Sequence, residues 1–217
     1  MRIKICVVTI ALLFVSFCGC QKISIYKKTK DSSGDSGNQI DMTVSYDEPD
    51  ITAYINRVRS VSADVYRDVL IGDWISGQKK TSCIVSFFNM HKDKLLKKGI
   101  SNDDINEIDI LFNDLIKMIE DKKSSKARTI ANNISKKLCD TIYHFIPKAQ
   151  TAFYNMGYYL RELTLHMEEK NEALIATAFS NELESWSVVR EKLLPIYKGD
   201  VAQVDEYFNS LGKRLEE

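Results

Sequence analysis

Residues 50–75 read DITAYINRVRSVSADVYRDVLIGDWI. Within them Ile51, Tyr54, Ile55, Val58, Val61, Val65 and Val69 recur at spacings of three and four. Residues three and four apart lie on one side of an α-helix, so this stretch predicts a helix with a single apolar face. Asp50 is placed to cap it, because its carboxylate can accept from the free N–H groups of the first turn. The pattern carries the helix to about Ile75, ahead of Gly77.

The same period continues toward the C-terminus. A second helix is predicted over Thr81–Lys98, with Ile84, Phe87, Phe88, His91 and Leu95 on one side and Gly99 as its C′ residue. Ser101 then opens a third, with Asp103 and Asp104 in the first turn to complement the helix dipole. Its apolar face is Ile105, Ile108, Leu111, Phe112, Leu115 and Ile119. Ser124 or Ser125 starts a fourth, bearing Ala127, Ile130, Ile134, Leu138, Ile142 and Phe145. Pro147 ends it and suits the N1 position of the next.

From Lys148 to Leu194 there is no proline. The segment reads either as one helix of about 70 Å or as two helices broken near Glu169–Asn171, where the apolar pattern lapses; the break is slightly favoured. After Pro195 and Gly199, Asp200 caps a last helix carrying Val201, Val204, Tyr207, Phe208, Leu211 and Leu215. The fold class expected is therefore all-α, an antiparallel bundle of six or seven helices with short connections. A faint repetition of hairpins near 51–98, 101–145 and 171–216 also allows stacked αα-hairpins.

Working outward to the N-terminus, the character changes. Residues 31–39 (DSSGDSGNQ) have almost nothing apolar to bury, so 21–48 is expected to be a flexible tether and 49–217 the helical domain. Before the tether, Arg2 and Lys4 precede an uncharged apolar run, Cys6 to Phe17. Twelve helical residues reach about 18 Å against roughly 30 Å of hydrocarbon, which suits the apolar region of an export signal. The run ends in Phe17-Cys18-Gly19-Cys20. Residues 1–20 thereby resemble the signal peptide and lipobox of bacterial lipoproteins, matching at Gly19 and Cys20 and departing at Phe17 and Cys18. The resemblance implies a diacylglycerol on the Cys20 thiol, palmitate-type acylation, and attachment to the extracytoplasmic side of the cell membrane. Lys22, Lys27, Lys28 and Lys30 could add attraction to anionic head groups.

The whole chain has 30 basic and 30 acidic residues; loss of Arg2 and Lys4 with residues 1–20 leaves 28 and 30, a net of −2. No basic excess remains to neutralise phosphates, so nucleic acid is not an expected partner. Cys83 and Cys139 either pair in an oxidising compartment or lie as two buried thiols on helix faces.

Candidate chemistry is sparse. Glu162, His166 and Glu169, at spacings of four and three, share a helix face and could hold a divalent metal, although a di-iron bundle would need Glu-x-x-His and Leu163 stands there instead. Phe153, Tyr154, Tyr158 and Tyr159 gather around Gly157 and could line a ligand pocket or a contact surface. Signatures for haem attachment, zinc peptidases, serine hydrolases and phosphate loops do not occur in the sequence. No cofactor and no enzymatic activity are expected. The reading is a lipid-anchored, non-enzymatic interaction module of the cell envelope whose partner is a protein or envelope component; the alternative is a small-ligand or metal-binding helical bundle.

Overall fold

The computed structural model describes residues 51–215. The export signal with Cys20, the tether over 21–48 and the Asp50 cap lie outside the described residues. Among those described, the chain is all-α with no strand: α1 (Ile51–Leu70), α2 (Trp74–Lys97), α3 (Asn102–Glu120), α4 (Ser124–Ile142), a 3-10 turn (Tyr143–Phe145), α5 (Lys148–Glu169), α6 (Glu172–Leu193) and α7 (Lys198–Leu215). None of these helices is long and apolar enough to cross a membrane.

Helices α1 to α4 close into a ring: α1 packs on α2 and α4, and α3 packs on α2 and α4. The predicted apolar faces meet inside it. Tyr54 stacks on Phe87, Phe88 meets Phe112 edge-on, and Ile55, Val58, Ile84, Ile108, Leu115, Ile134 and Leu138 are wholly buried. Each such side chain contributes about 1.5–3 kcal/mol through removal of apolar surface from water. Paired contacts run in opposite chain directions, Tyr54–Phe87 with Asp68–Lys80 between α1 and α2, Phe88–Phe112 with Lys92–Asp109 between α2 and α3, and Arg128–Glu168 with Cys139–Thr151 between α4 and α5, so these neighbours are antiparallel.

Helix α5 then packs on α4, α6 on α5, and α7 on α6. Leu165 of α5 belongs to the ring's core, while Leu163 joins Ala178 and Leu211 in a second, smaller core. Helix α5 thus serves both. The hairpins α1/α2 and α3/α4 form one closed bundle rather than a stack of separate hairpins.

The connections correct several expected boundaries. The first break falls at Gly72, not Gly77: Gly72 has φ +80, and the Asp73 carboxylate caps α2 by accepting from the Ser76 N–H at 3.0 Å. Gly77 lies inside α2, close to Val69. At the other end of α2, Gly99 N–H bonds to Leu96 O and Ile100 N–H to Leu95 O, the Schellman arrangement, with Gly99 at φ +92. Ser101 caps α3 as expected, accepting from Asp104 N–H at 3.0 Å. Helix α4 stops at Ile142 in a 3-10 turn, and Pro147 occupies the N-cap of α5 rather than N1. Helices α5 and α6 are separate: Lys170 takes the left-handed conformation and Asn171 caps α6. Helix α7 begins at Lys198, so Asp200 lies in its first turn instead of capping it.

Candidate functional site

The most unusual chemistry lies along α5, where it is held between α4, α1 and α6. Asn132 of α4 sits on that helix's buried face and is fully enclosed. Its side-chain amide donates to the Tyr158 carbonyl at 3.2 Å and to Glu162 Oε1 at 2.7 Å, while its oxygen accepts from Arg161 Nε at 2.6 Å. One turn earlier, the buried Arg128 makes a two-pronged pair with Glu168 across the α4–α5 boundary, at 3.0 and 2.5 Å. From α1, the Tyr66 hydroxyl donates to the Arg161 carbonyl at 3.4 Å, and the ring lies 5.7 Å from the Arg128 guanidinium and 5.9 Å from that of Arg161. Burial pushes the Tyr66 hydroxyl above the usual phenol range, with the two arginines working against it. Arg59 lies 3.8 Å over the Tyr154 ring.

Glu182 of α6 completes the seam. It occupies a helical position between Ala178 and Trp186, each one turn away, and has no solvent exposure. Neither carboxyl oxygen has a hydrogen-bond partner, and neither does Nη2 of Arg161, whose charge acts on Glu182. Burial raises the Glu182 carboxyl to about 9 against the pull of that guanidinium. Burial, then repulsion from Arg59, lowers Arg161 to about 10. Arg161 is part-buried as a residue, and its Nη2 is shut off from solvent. At neutral pH the seam therefore holds a cationic Arg161 and a protonated, neutral Glu182.

Glu162, His166 and Glu169 do come together. His166 Nε2 lies 3.2 Å from Glu162 Oε2, and Nδ1 lies 3.4 Å from Glu169 Oε2. The two carboxylates thus approach opposite edges of the ring, and Glu162 Oε1 is already engaged by Asn132. The donors do not converge on one point, and among the described residues no group of three or more His, Cys, Asp or Glu side chains is arranged to hold a metal ion. The expected metal face is instead a hydrogen-bonded string.

The aromatic segment behaves as helix packing. Met156 is buried; Phe153, Tyr154, Tyr158 and Tyr159 are half-buried, with edge-on contacts between Phe153 and Tyr154 and between Tyr158 and Tyr159. The Tyr154 hydroxyl accepts from Gln150 Nε2 at 2.6 Å. None of the four lines the open groove of about 650 Å³ formed by Ser82, Val85, Ser86, Asn89 and Met90 of α2 with Ile116 of α3. No ionisable side chain lines that groove either.

Cys83 and Cys139 are free thiols, which corrects the disulfide alternative. Cys139 is buried on α4 and turned to α5, its Sγ 3.9 Å from the Thr151 carbonyl, whereas Cys83 lies on α2, which packs against α1 and α3. Burial pushes the Cys139 thiol up to about 11, so it stays protonated.

Asn132, Arg128, Arg161 and Glu182 were not singled out by the sequence reading. For Glu182 a signal existed: Ile175, Ala178, Glu182, Trp186 and Val189 form one stripe at spacings of three and four. A carboxyl in such a stripe is a buried acid. No known protein family, no curated protein and no solved structure matches this chain.

Proposed function

We propose that this protein is a lipid-anchored helical interaction module on the extracytoplasmic side of the membrane, held there through Cys20 and the 21–48 tether, and that its partner is a protein of the envelope. The observation that carries the interaction reading is the α1/α2 corner. Leu70, Ile71 and Ile75 are 47%, 70% and 83% exposed there. Three large aliphatic side chains within six residues, at the end of the bundle opposite Ile51, leave water-exposed apolar surface that a partner would cover. The buried polar seam supports this reading as scaffold: its hydrogen bonds fix α5 against α1 and α4 of the ring without offering an open, ionisable pocket.

Two experiments test the two halves separately. A fatty-acid analogue should label the wild type and not Cys20→Ala; label that persists in the variant overturns the anchor. A photo-crosslinking amino acid in place of Ile75, in intact cells, should give a discrete protein adduct that disappears when Ile71 is replaced by Glu. The same probe at the exposed Asp114 of α3 sets the background. An Ile75 probe that reacts no more than the Asp114 probe overturns the interaction reading.

A further inference from the structure

The antiparallel order of the helices puts four chain segments at one end of the bundle: the start of α1, the α2/α3 turn, the α4/α5 connection and the α6/α7 turn. This is the end at which residues 1–50 join the described domain, at Ile51. It carries exposed aromatic and aliphatic side chains: Tyr143 and Phe145 in the 3-10 turn, then Leu194, Ile196 and Tyr197 after α6, with Ile196 71% exposed. Exposed Lys97, Lys98, Lys148 and Lys198 stand in the same segments, with Asp103, Glu191 and Asp200 as nearby acids, while Asp104 and Asp140 are paired with Lys137 and Lys136.

We infer that this end is a membrane-contact surface, whose occupant is the anionic head-group region of the bilayer to which the chain is tethered. The inference rests on the lipid-anchor reading for its setting. Three features favour a bilayer over another protein. The chain that would lead to the membrane joins here and not at the Leu70–Ile75 corner. The composition pairs tyrosines with lysines, which suits an interface where the apolar body of a side chain is buried and its polar tip stays wet. The apolar residues are spread over two separate connections at one end, a layout that a broad, deformable surface can cover at once. Shallow insertion of these side chains would orient the domain, leaving Ile71 and Ile75 directed away from the membrane. The tether supplies reach, and this surface supplies orientation.

The test uses the full protein purified with its own N-terminal processing and bound to vesicles of phosphatidylethanolamine and phosphatidylglycerol containing brominated acyl chains. Tyr197→Trp should gain a quenched fluorescence component over the two native tryptophans, and Ile75→Trp should not. Replacing Phe145 and Ile196 together by Ser, in protein expressed from residue 21 onward so that neither the acyl chain nor the apolar run Cys6–Phe17 is present, should weaken vesicle binding about tenfold or more, as loss of two inserted side chains implies. Phosphatidylcholine vesicles should bind that protein more weakly than anionic ones. A Tyr197→Trp protein that carries label on Cys20 and floats with vesicles, but whose added indole is unquenched, overturns this inference and leaves the anchor intact. So does a cross-linker at Tyr197 that captures a protein in cells in place of lipid. Absence of label on Cys20 overturns the anchor reading, while quenching in the Tyr197→Trp variant would still be read independently.

Discussion

A carboxyl group at a core position of a helix must either find partners or give up its charge. Glu182 gives up its charge: with both oxygens unbonded and burial raising it to about 9, it is protonated at neutral pH beside the cationic Arg161. An unfolded chain releases that proton near 4.5, so between 4.5 and about 9 the folded state binds more protons than the unfolded one. Stability contributed at this residue is therefore greatest at the acid end and falls as pH rises through that window. Glu182→Gln keeps the shape without the ionisation. The expected result is a melting temperature close to wild type in mild acid and progressively above it toward alkaline pH, read by thermal denaturation across a pH series. A difference that does not grow with pH would show that Glu182 is ionised or solvated in the fold. The stripe Ala178–Glu182–Trp186 made the burial of this residue legible in the sequence. Its lack of a partner was not, because that depends on where α5 presents Arg161, three-dimensional information absent from the pattern of either helix.

Helix boundaries follow from backbone chemistry, and they show where one-dimensional reading succeeds. Ser101, Gly99 and the lapse at Glu169–Asn171 were read at the right places because a cap or a positive φ leaves a local signature. The α1/α2 turn was misplaced because two glycines, Gly72 and Gly77, compete within six residues, and the apolar Ile71, Trp74 and Ile75 extend the helical pattern across the true break. Asp73 decides between them, since its side chain caps α2 and puts the break just before itself. The two glycines should then respond oppositely to alanine. Gly72→Ala places a side chain at φ +80 and should destabilise by about 1 kcal/mol. At Gly77 a Cβ would meet Val69 Cγ2 at 3.6 Å, an ordinary contact, so Gly77→Ala should stabilise by up to about 1 kcal/mol through helix propensity. Urea unfolding of both variants checks the pair; equal effects would mean the turn is not where the structure puts it.

At the scale of the molecule, the seven helices of the described residues do not contribute equally. Helices α1 to α4 form a ring in which each touches two others, α5 joins that ring to a second core, and α7 packs chiefly on α6. All-α class and antiparallel order were legible from short connections and a sustained helical period. Which helices close the ring was not, because α1 and α4 meet across two intervening helices and no local pattern encodes that pairing. The same limit hid the polar seam, whose members come from α1, α4, α5 and α6. The unequal connectivity predicts unequal stability. Phe208 of α7 is buried against Trp186 and Phe179 of α6, with ring centres 6.0 and 6.4 Å away. Trp186 Nε1 and Arg190 Nε further tie α6 to Asp205 of α7 at 2.8 and 2.9 Å. Truncating a buried Phe to Ala typically costs about 3–5 kcal/mol when the whole fold feels the change. Here the aromatic packing that the truncation removes joins α6 to α7, so Phe208→Ala should release α7 first, with amide exchange accelerating across 198–215 and the facing turns of α6. Amides of α1 and α4 should keep their wild-type protection, because their partners lie in the ring and on α5. Hydrogen exchange read by mass spectrometry on peptides from α1, α4, α6 and α7 resolves the question, and equal acceleration in all four would mean that both cores unfold as a single cooperative unit.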